Sequence, residues 1–139
     1  MKRKILIIED DKMINFFLET RLKKEGFDIE ITYDGQKALE QANRTRYDLI
    51  ITDMMLPSIS GLELIAKIKR SNQNFNVPII VLSSLASPDL IVAALSAGVS
   101  DYITKPFSMK VVMARITQSL RISPVISPNG NPGSISGKP

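Results

Sequence analysis

The first acidic cluster of the sequence follows a run of branched apolar residues. The stretch "KILIIEDD" places Glu9, Asp10 and Asp11 directly after the apolar residues 5–8, and so short an apolar run predicts a strand buried on both faces. Carboxylates crowded at one point raise one another's pKa and oppose folding unless a positive charge neutralises them. These residues alone are compatible with two arrangements: the acids spread into water, or a cation lies between them.

Further polar side chains follow other predicted strands. Asp53 ends the run "LIITD", Ser83 and Ser84 end "IIVLSS", and Lys105 follows "DYIT". In a parallel sheet the carboxyl ends of all strands meet at one edge, where ligands bind. Each residue alone also fits an ordinary turn, cap or surface role, and Asp11 is predicted to cap the next helix or face solvent. Their convergence on one edge favours a functional site.

These residue types suit phosphoryl transfer to an aspartate. Mg²⁺ takes oxygen ligands and keeps several waters, so the carboxylates of Glu9, Asp10 and Asp53 predict a magnesium site. A metal ion there relieves the repulsion between the acids and leaves one oxygen of Asp53 free as a nucleophile. Lys105 and the Ser83 hydroxyl are predicted to bind the non-bridging phosphoryl oxygens, where negative charge must be stabilised.

Alternating strands and helices must position these residues. The spacing predicts strands over residues 5–8, 27–32, 48–52, 77–84 and 101–104, and helices over residues 12–25, 34–42, 62–69, 87–98 and 108–121. Ile14, Phe17, Leu18 and Leu22 share one face of the first helix and are predicted to face the sheet. Five strand–helix units with right-handed crossovers predict a parallel sheet covered on both faces, a three-layer α/β/α fold.

Composition narrows the classes of function. The 139 residues suit one domain, and the absence of cysteine and histidine excludes disulfides and argues against zinc. The net charge of +4 is spread over small basic groups without interleaved aromatic residues, which favours a solvated surface over a nucleic-acid interface. The apolar run after the basic N-terminus is too short for a signal peptide or a membrane span. Residues 123–139 are rich in Pro, Gly, Ser and Asn and predict a flexible linker or tail.

The sequence resembles the receiver domain of two-component response regulators. The matching segments, in the family's order and spacing, are "IIEDD", "LIITDMMLPSISGLEL", "IIVLSS" and "SAGVSDYITKPF", and the resemblance covers residues 3–121. It implies a flavodoxin-like (βα)5 fold with strand order 2-1-3-4-5, one of the common orders of doubly wound α/β sheets. It also implies a receiver domain over residues 1–122 and a cytoplasmic phosphoprotein of signal transduction.

The resemblance implies roles for individual residues. The implied ligands of Mg²⁺ are Glu9, Asp10, Asp53 and the backbone carbonyl of Met55. Asp53 is also the implied phosphoacceptor, and Ser83 and Lys105 assist the phosphoryl transfer. Ser83 and Tyr102 form the implied switch, in which the aromatic ring changes rotamer as the hydroxyl moves toward the phosphoryl group.

Three other positions near the site follow from the same resemblance. Pro106 is expected after a cis peptide bond. Met55 and Leu85, two residues beyond Asp53 and Ser83, are apolar at positions where family members vary. We expect these two side chains to hinder the in-line water and slow loss of the phosphoryl group.

The resemblance also implies partners. A sensor histidine kinase or a phosphotransfer protein is the expected phosphodonor, and the fourth helix, fifth strand and fifth helix form the expected output surface. Asp101 and Arg115 match an ion pair of receivers that form homodimers through this surface, whereas Val111 stands where those receivers usually carry an acid. Neither a membrane nor direct nucleic-acid binding is expected for this domain, and the output partner is not identified.

Two other classes of function stay open beside the phosphoacceptor signalling domain. A Mg²⁺-dependent phosphatase or phosphotransferase acting on small molecules would also use Asp53, but such enzymes usually need a second nearby acid and a cap, and the sequence has neither a "DxD" motif nor a cap insertion. A receiver-like scaffold that is never phosphorylated has no need of a complete site. We therefore predict a signalling domain rather than an enzyme.

Overall fold

The structure of the protein is a computed structural model, and it describes residues 2–122. The linker or tail predicted over residues 123–139 lies outside the described residues.

Five strands form one parallel sheet. Their bounds are β1 Lys4–Ile8, β2 Asp28–Thr32, β3 Leu49–Thr52, β4 Ile79–Ser83 and β5 Asp101–Thr104. The order across the sheet is β2-β1-β3-β4-β5, and every neighbouring pair is parallel. The α/β fold class and the implied strand order are therefore confirmed.

Five helices connect and follow the strands. Their bounds are α1 Lys12–Lys24, α2 Gly35–Arg44, α3 Gly61–Lys69, α4 Pro88–Ser96 and α5 Met109–Ile122. Asp11 caps α1, as predicted, because its Oδ1 accepts hydrogen bonds from the backbone N–H groups of Met13 and Ile14. Asp34 and Ser87 cap α2 and α4 in the same way.

Side-chain alternation along the strands divides the core between two layers of helices. Ile5 and Ile7 of β1 pack with buried residues of α1 and α5, whereas Leu6 and Ile8 pack with buried residues of α2, α3 and α4. Successive side chains of a strand point to opposite faces, so a continuous apolar run serves both layers. The sheet thus lies between two helical layers, and its carboxyl ends stay open at one edge.

The predicted inner face of α1 is partly wrong. Leu18 and Leu22 are fully buried, but Phe17 is 52% exposed, and Asn15 is buried instead. Positions 15, 18 and 22 form one stripe of the helix, and Phe17 lies about 100° away from Leu18. Two apolar stripes therefore adjoin on α1, and helical spacing alone cannot select the stripe that faces the sheet.

Helix α4 is apolar but not fully covered. Val92 is 61% exposed and Leu95 is 46% exposed, while Ala94 is fully buried. On α5, Val111 is also exposed. The surface formed by α4, β5 and α5 therefore carries apolar side chains in contact with solvent.

Candidate functional site

Three carboxylates meet at the carboxyl edge of the sheet. Glu9 and Asp10 follow β1 and Asp53 follows β3, and one carboxylate oxygen from each lies within 4.8 Å of those of the other two. Glu9 and Asp53 are buried, whereas Asp10 is exposed. The structure thus brings together the three acids that the sequence singles out.

Backbone hydrogen bonds between neighbouring strands fix these acids. The N–H of Glu9 donates to the Thr32 carbonyl at 3.1 Å, and the N–H of Asp53 donates to the Ile8 carbonyl at 3.0 Å. The parallel ladder therefore continues one residue past the strand ends and holds both carboxylates side by side.

Lys105 lies between two of the acids. Its Nζ is 2.8 Å from Glu9 Oε1 and 2.8 Å from Asp53 Oδ2. Burial alone would lower the pKa of Lys105, but the hydrogen bonds to Asp53 and Glu9 outweigh it and raise the pKa above its usual range. The ammonium group stays charged at neutral pH, and the following Lys105–Pro106 peptide is cis, as the resemblance implies.

Glu9 is the most buried of the three acids. Burial raises its pKa, while the hydrogen bonds from Lys105 and from the N–H of Asp11 lower it, and the charge of Asp53 raises it again. The net shift is upward. One ammonium group therefore compensates only part of the charge of this cluster.

The Asp53 carboxylate is held from two sides. Its Oδ1 accepts hydrogen bonds from the backbone N–H groups of Met54, at 2.6 Å, and Met55, at 3.1 Å. Its Oδ2 accepts the hydrogen bond from Lys105. Two turn N–H groups and one ammonium group thus fix the plane of the carboxylate in a site where Asp53 is 7% exposed to solvent.

Ser83 and Tyr102 both contact the segment after β4. Ser83 is fully buried, and its Oγ accepts a hydrogen bond from the N–H of Leu85 at 3.1 Å. The Tyr102 hydroxyl donates to the Leu85 carbonyl at 2.5 Å. Burial raises the pKa of Tyr102, so its hydroxyl stays protonated at neutral pH. The two residues of the predicted switch therefore share Leu85 as a partner.

Met55 and Leu85 border the site from neighbouring strand ends. Met55 is 56% exposed and Leu85 is 38% exposed. Both side chains are thus in contact with solvent. Met55 lies two residues after Asp53, and Leu85 lies two residues after Ser83.

Asn15 belongs to the site but was not predicted from the sequence. Its Nδ2 donates to the Glu9 carbonyl at 2.7 Å, and its Oδ1 is buried without a partner among residues 2–122. Asn15 therefore ties the first turns of α1 to the acidic loop. The sequence does offer one sign of this role: Asn15 is a polar residue among the apolar residues of a helix that must cover the sheet.

Within residues 2–122, no helix is both long enough and apolar enough to cross a bilayer. The predicted ion pair between Asp101 and Arg115 is present, with 3.0 Å between Oδ2 and NH1.

Comparison with known proteins places this geometry in a family. Residues 5–117 match the family profile described as the response regulator receiver domain. Response regulator ArlR of Staphylococcus saprophyticus is 43% identical over 121 residues, which make up 87% of this chain and 54% of that protein. The chain thus spans just over half the length of the curated relatives that it matches.

Solved structures share both the fold and the sequence signal. The receiver domain of the Francisella response regulator 1452 has a TM-score of 0.78 and 37% identity, over 86% of this chain and 98% of that one. The receiver domain of the sensor histidine kinase PA1611 from Pseudomonas aeruginosa has a TM-score of 0.79 and 29% identity, over 87% of this chain and 99% of that one. That second structure has a magnesium ion coordinated in its active-site cleft.

Proposed function

This chain belongs to the response regulator receiver domain family, and we propose that it is the phosphoacceptor of a two-component system. In this proposal Asp53 takes a phosphoryl group from a sensor histidine kinase or a phosphotransfer protein. Phosphorylation then changes the surface formed by α4, β5 and α5, which binds a partner or a second copy. The domain is a signalling module that assists its own phosphorylation and dephosphorylation.

The observation that carries the proposal is the position of Lys105. One ammonium group contacts Glu9 and Asp53, and Asp10 adds a third carboxylate within 4.8 Å. With three carboxylates facing one ammonium group, the cluster keeps an excess of negative charge. Such a site favours a divalent cation, and a cation held by these acids would leave the Lys105 ammonium group free to bind a phosphoryl oxygen.

The donor set fits Mg²⁺. The carboxylates of Glu9, Asp10 and Asp53 and the backbone carbonyl of Met55 are the proposed ligands, and all are the hard oxygen donors that this ion prefers. When bound, Mg²⁺ supplies positive charge that offsets the repulsion between the acids and an incoming phosphoryl group. The magnesium ion in the receiver domain of PA1611 supports this assignment.

The proposed transfer is a displacement at phosphorus. An oxygen of Asp53 attacks the phosphorus of a phosphohistidine, an O–P bond forms as the N–P bond breaks, and the leaving imidazole nitrogen takes up a proton. Lys105 and Ser83 bind the non-bridging oxygens, where charge is largest. Attack by water later releases inorganic phosphate and restores the carboxylate.

The proposed switch starts from Ser83. When its hydroxyl turns toward the phosphoryl group, the hydrogen bond from the Leu85 N–H is lost or rearranged. The hydrogen bond of Tyr102 to the Leu85 carbonyl links the same segment to β5. A change at Ser83 therefore alters a contact of Tyr102, and so the surface at α4 and β5.

The proposed domain boundaries follow from the family and the described elements. We propose that residues 1–122 form the receiver domain, and the linker or tail predicted from composition over residues 123–139 stays a prediction. Family membership supports a cytoplasmic location, without direct nucleic-acid binding by this domain.

Phosphorylation by acetyl phosphate, read by intact mass, tests the proposal. We expect the wild type to gain one phosphoryl group when Mg²⁺ is present and none when the ion is chelated, and Asp53→Asn to gain none. A wild type that binds Mg²⁺ but takes up no phosphoryl group would favour a scaffold that only binds partners.

A further inference from the structure

The loop that carries the nucleophile contains an unfavourable backbone conformation. Ser58 has a φ of 80°, and it is the one non-glycine residue of positive φ within residues 2–122. It follows Pro57, and a proline followed by positive φ is the arrangement of a type II turn, where glycine or asparagine is preferred at the second central position. A serine there needs a compensating interaction.

That interaction comes from the residue that caps α2. The Ser58 hydroxyl donates to Asp34 Oδ2 at 2.6 Å, while Asp34 Oδ1 accepts from the backbone N–H groups of Gln36 and Lys37 at 2.8 and 3.1 Å. The Ser58 hydroxyl and these N–H groups lower the pKa of Asp34, so the carboxylate is ionised at neutral pH. One oxygen of Asp34 caps the helix, and the other holds the loop.

Two further contacts join the same loop to α2. The N–H of Gly35 donates to the Pro57 carbonyl at 3.2 Å. A Cβ at Gly35 would lie 2.2 Å from Cγ2 of Ile59, a side chain that is itself buried. The loop therefore packs directly against the first turn of α2.

The other end of this loop holds the reactive carboxylate. The backbone N–H groups of Met54 and Met55 donate to Asp53 Oδ1, so the loop conformation sets the orientation of that carboxylate. We propose that the Asp34–Ser58 hydrogen bond is a positioning contact for Asp53, which holds the loop between β3 and α3 in the conformation that transfer requires. The inference rests on the proposed phosphoacceptor function, and Ser58 acts through the loop rather than by touching the phosphoryl group.

Three substitutions test the contact. Ser58→Ala removes the hydroxyl and keeps the unfavourable φ, whereas Ser58→Gly removes the hydroxyl but adopts positive φ without strain. Asp34→Ser keeps a capping hydroxyl for α2 but is too short to hold Ser58. Ser60→Ala is the matched control, since Ser60 is an exposed serine of the same loop whose Oγ caps α3 through the N–H of Glu63.

Two readouts separate positioning from stability. The first is the rate of phosphorylation by acetyl phosphate at saturating Mg²⁺, and the second is amide hydrogen exchange at Met54 and Met55, measured by NMR without phosphodonor. We expect Ser58→Ala and Asp34→Ser to slow phosphorylation and speed exchange by about three- to ten-fold each, as loss of one strain-compensating contact implies. Ser60→Ala should stay within about two-fold of the wild type, whereas Ser58→Gly, which loses the hydrogen bond but carries no strain, should fall between Ser58→Ala and the wild type.

The exchange measurement stands even if the wild type takes up no phosphoryl group, so failure of the proposed function is distinguishable from failure of this inference. Exchange and phosphorylation in Ser58→Ala equal to those in Ser60→Ala would overturn the positioning contact. Asp34→Ser with wild-type exchange at Met54 and Met55 would overturn it as well.

Discussion

Burial of Glu9 beside Asp53 disfavours the charged form of Glu9, and Lys105 offsets only part of that cost. This conflict is predictable from "EDD" after a buried strand, because like charges at one sheet edge need a compensating cation. The role of Asn15, and the two roles of Asp34 in capping α2 and binding Ser58, are not predictable from the sequence. Both depend on which atoms of neighbouring loops come within hydrogen-bond distance.

Removing the charge of Glu9 should stabilise the protein when divalent cations are absent. For Glu9→Gln we expect a melting temperature about 3–5 °C above that of the wild type at pH 7 in chelator, the effect of roughly 1 kcal/mol in a domain of this size. A group whose pKa is raised by folding stabilises the native state below its unfolded pKa and loses that contribution as pH rises. The advantage of Glu9→Gln should therefore shrink toward about pH 4 and grow toward neutral pH.

Mg²⁺ provides the internal control for that variant. Binding to the folded state raises the melting temperature of the wild type, and this increase should be much smaller in Glu9→Gln, which lacks one proposed ligand. Equal melting temperatures of the two proteins at pH 7 in chelator would contradict the electrostatic account of Glu9.

The apolar side chains of Met55 and Leu85 should prolong the phosphorylated state. Because both are partly exposed beside the site, we expect them to restrict the path of the attacking water. Met55→Gln and Leu85→Asn should each shorten the phosphoryl lifetime about three- to ten-fold, the effect of roughly 1 kcal/mol on the barrier. Intact mass followed over time after removal of the phosphodonor measures the lifetime, with Met13→Gln as a control on an exposed methionine of α1. Lifetimes unchanged in both variants would rule the idea out.

The bounds of the strands and helices are predicted from the sequence more completely than the residues that these elements expose to solvent. Each strand and helix lies within two residues of its predicted bounds, because buried apolar runs, Gly98 and the capping residues Asp34 and Ser87 mark the ends clearly. The error at Phe17 has a physical origin, since two neighbouring stripes of α1 are apolar and packing against the sheet decides between them.

The exposed apolar stripe of α1 has a proposed function of its own. Met13, Phe16 and Phe17 are between 52% and 62% exposed, and α1 begins two residues after Asp10. Phe17 also lines an apolar groove with Phe107 that extends to Lys105. A phosphohistidine is carried by a protein, so a donor that reaches Asp53 must cover the surface around this edge, and we expect it to contact these side chains.

Polar replacements in this stripe should slow phosphorylation by protein donors but not by small-molecule donors. The donor is a phosphorylated histidine kinase, chosen from a purified panel because it phosphorylates the wild type. Transfer from this kinase should be about ten-fold slower or more in the double variant Phe16→Ser, Phe17→Ser. Phosphorylation by acetyl phosphate should change little, because that donor needs no protein surface. Phe75→Ser, an equally exposed phenylalanine before β4, is the control. Undiminished transfer from the kinase would show that the donor binds elsewhere.

At the scale of the whole molecule, one parallel sheet brings distant residues to one edge. Lys105 contacts Glu9 across 96 positions of the chain and Asp53 across 52. A three-layer fold follows from the alternation of strands and helices, but the strand order came from family resemblance, because apolar strands of similar length do not reveal their neighbours. The chain spans just over half the length of its curated relatives.

The exposed face of α4 should mediate association after phosphorylation. Leu95 is 46% exposed, and the Asp101–Arg115 ion pair lies on the adjoining β5 and α5. We expect the phosphorylated wild type to form a dimer and Leu95→Asp to stay monomeric, because a charge at an apolar contact must be desolvated. Light scattering after size-exclusion chromatography measures the masses, with Met13→Asp on the opposite helical layer as control. A Leu95→Asp protein that dimerises like the wild type would exclude this surface.

The assignment of Asp53 as the phosphoacceptor is best tested by locating the phosphoryl group on the chain. Borohydride reduces an acyl phosphate but not a phosphoserine, so treatment of the phosphorylated protein, followed by peptide mass spectrometry, identifies the acceptor. We expect the aspartate at position 53 to be converted to homoserine, and only in samples phosphorylated with Mg²⁺ present. Reduction at another carboxylate, or a phosphoryl group that survives borohydride on Ser83, would contradict the assignment of Asp53 as the phosphoacceptor.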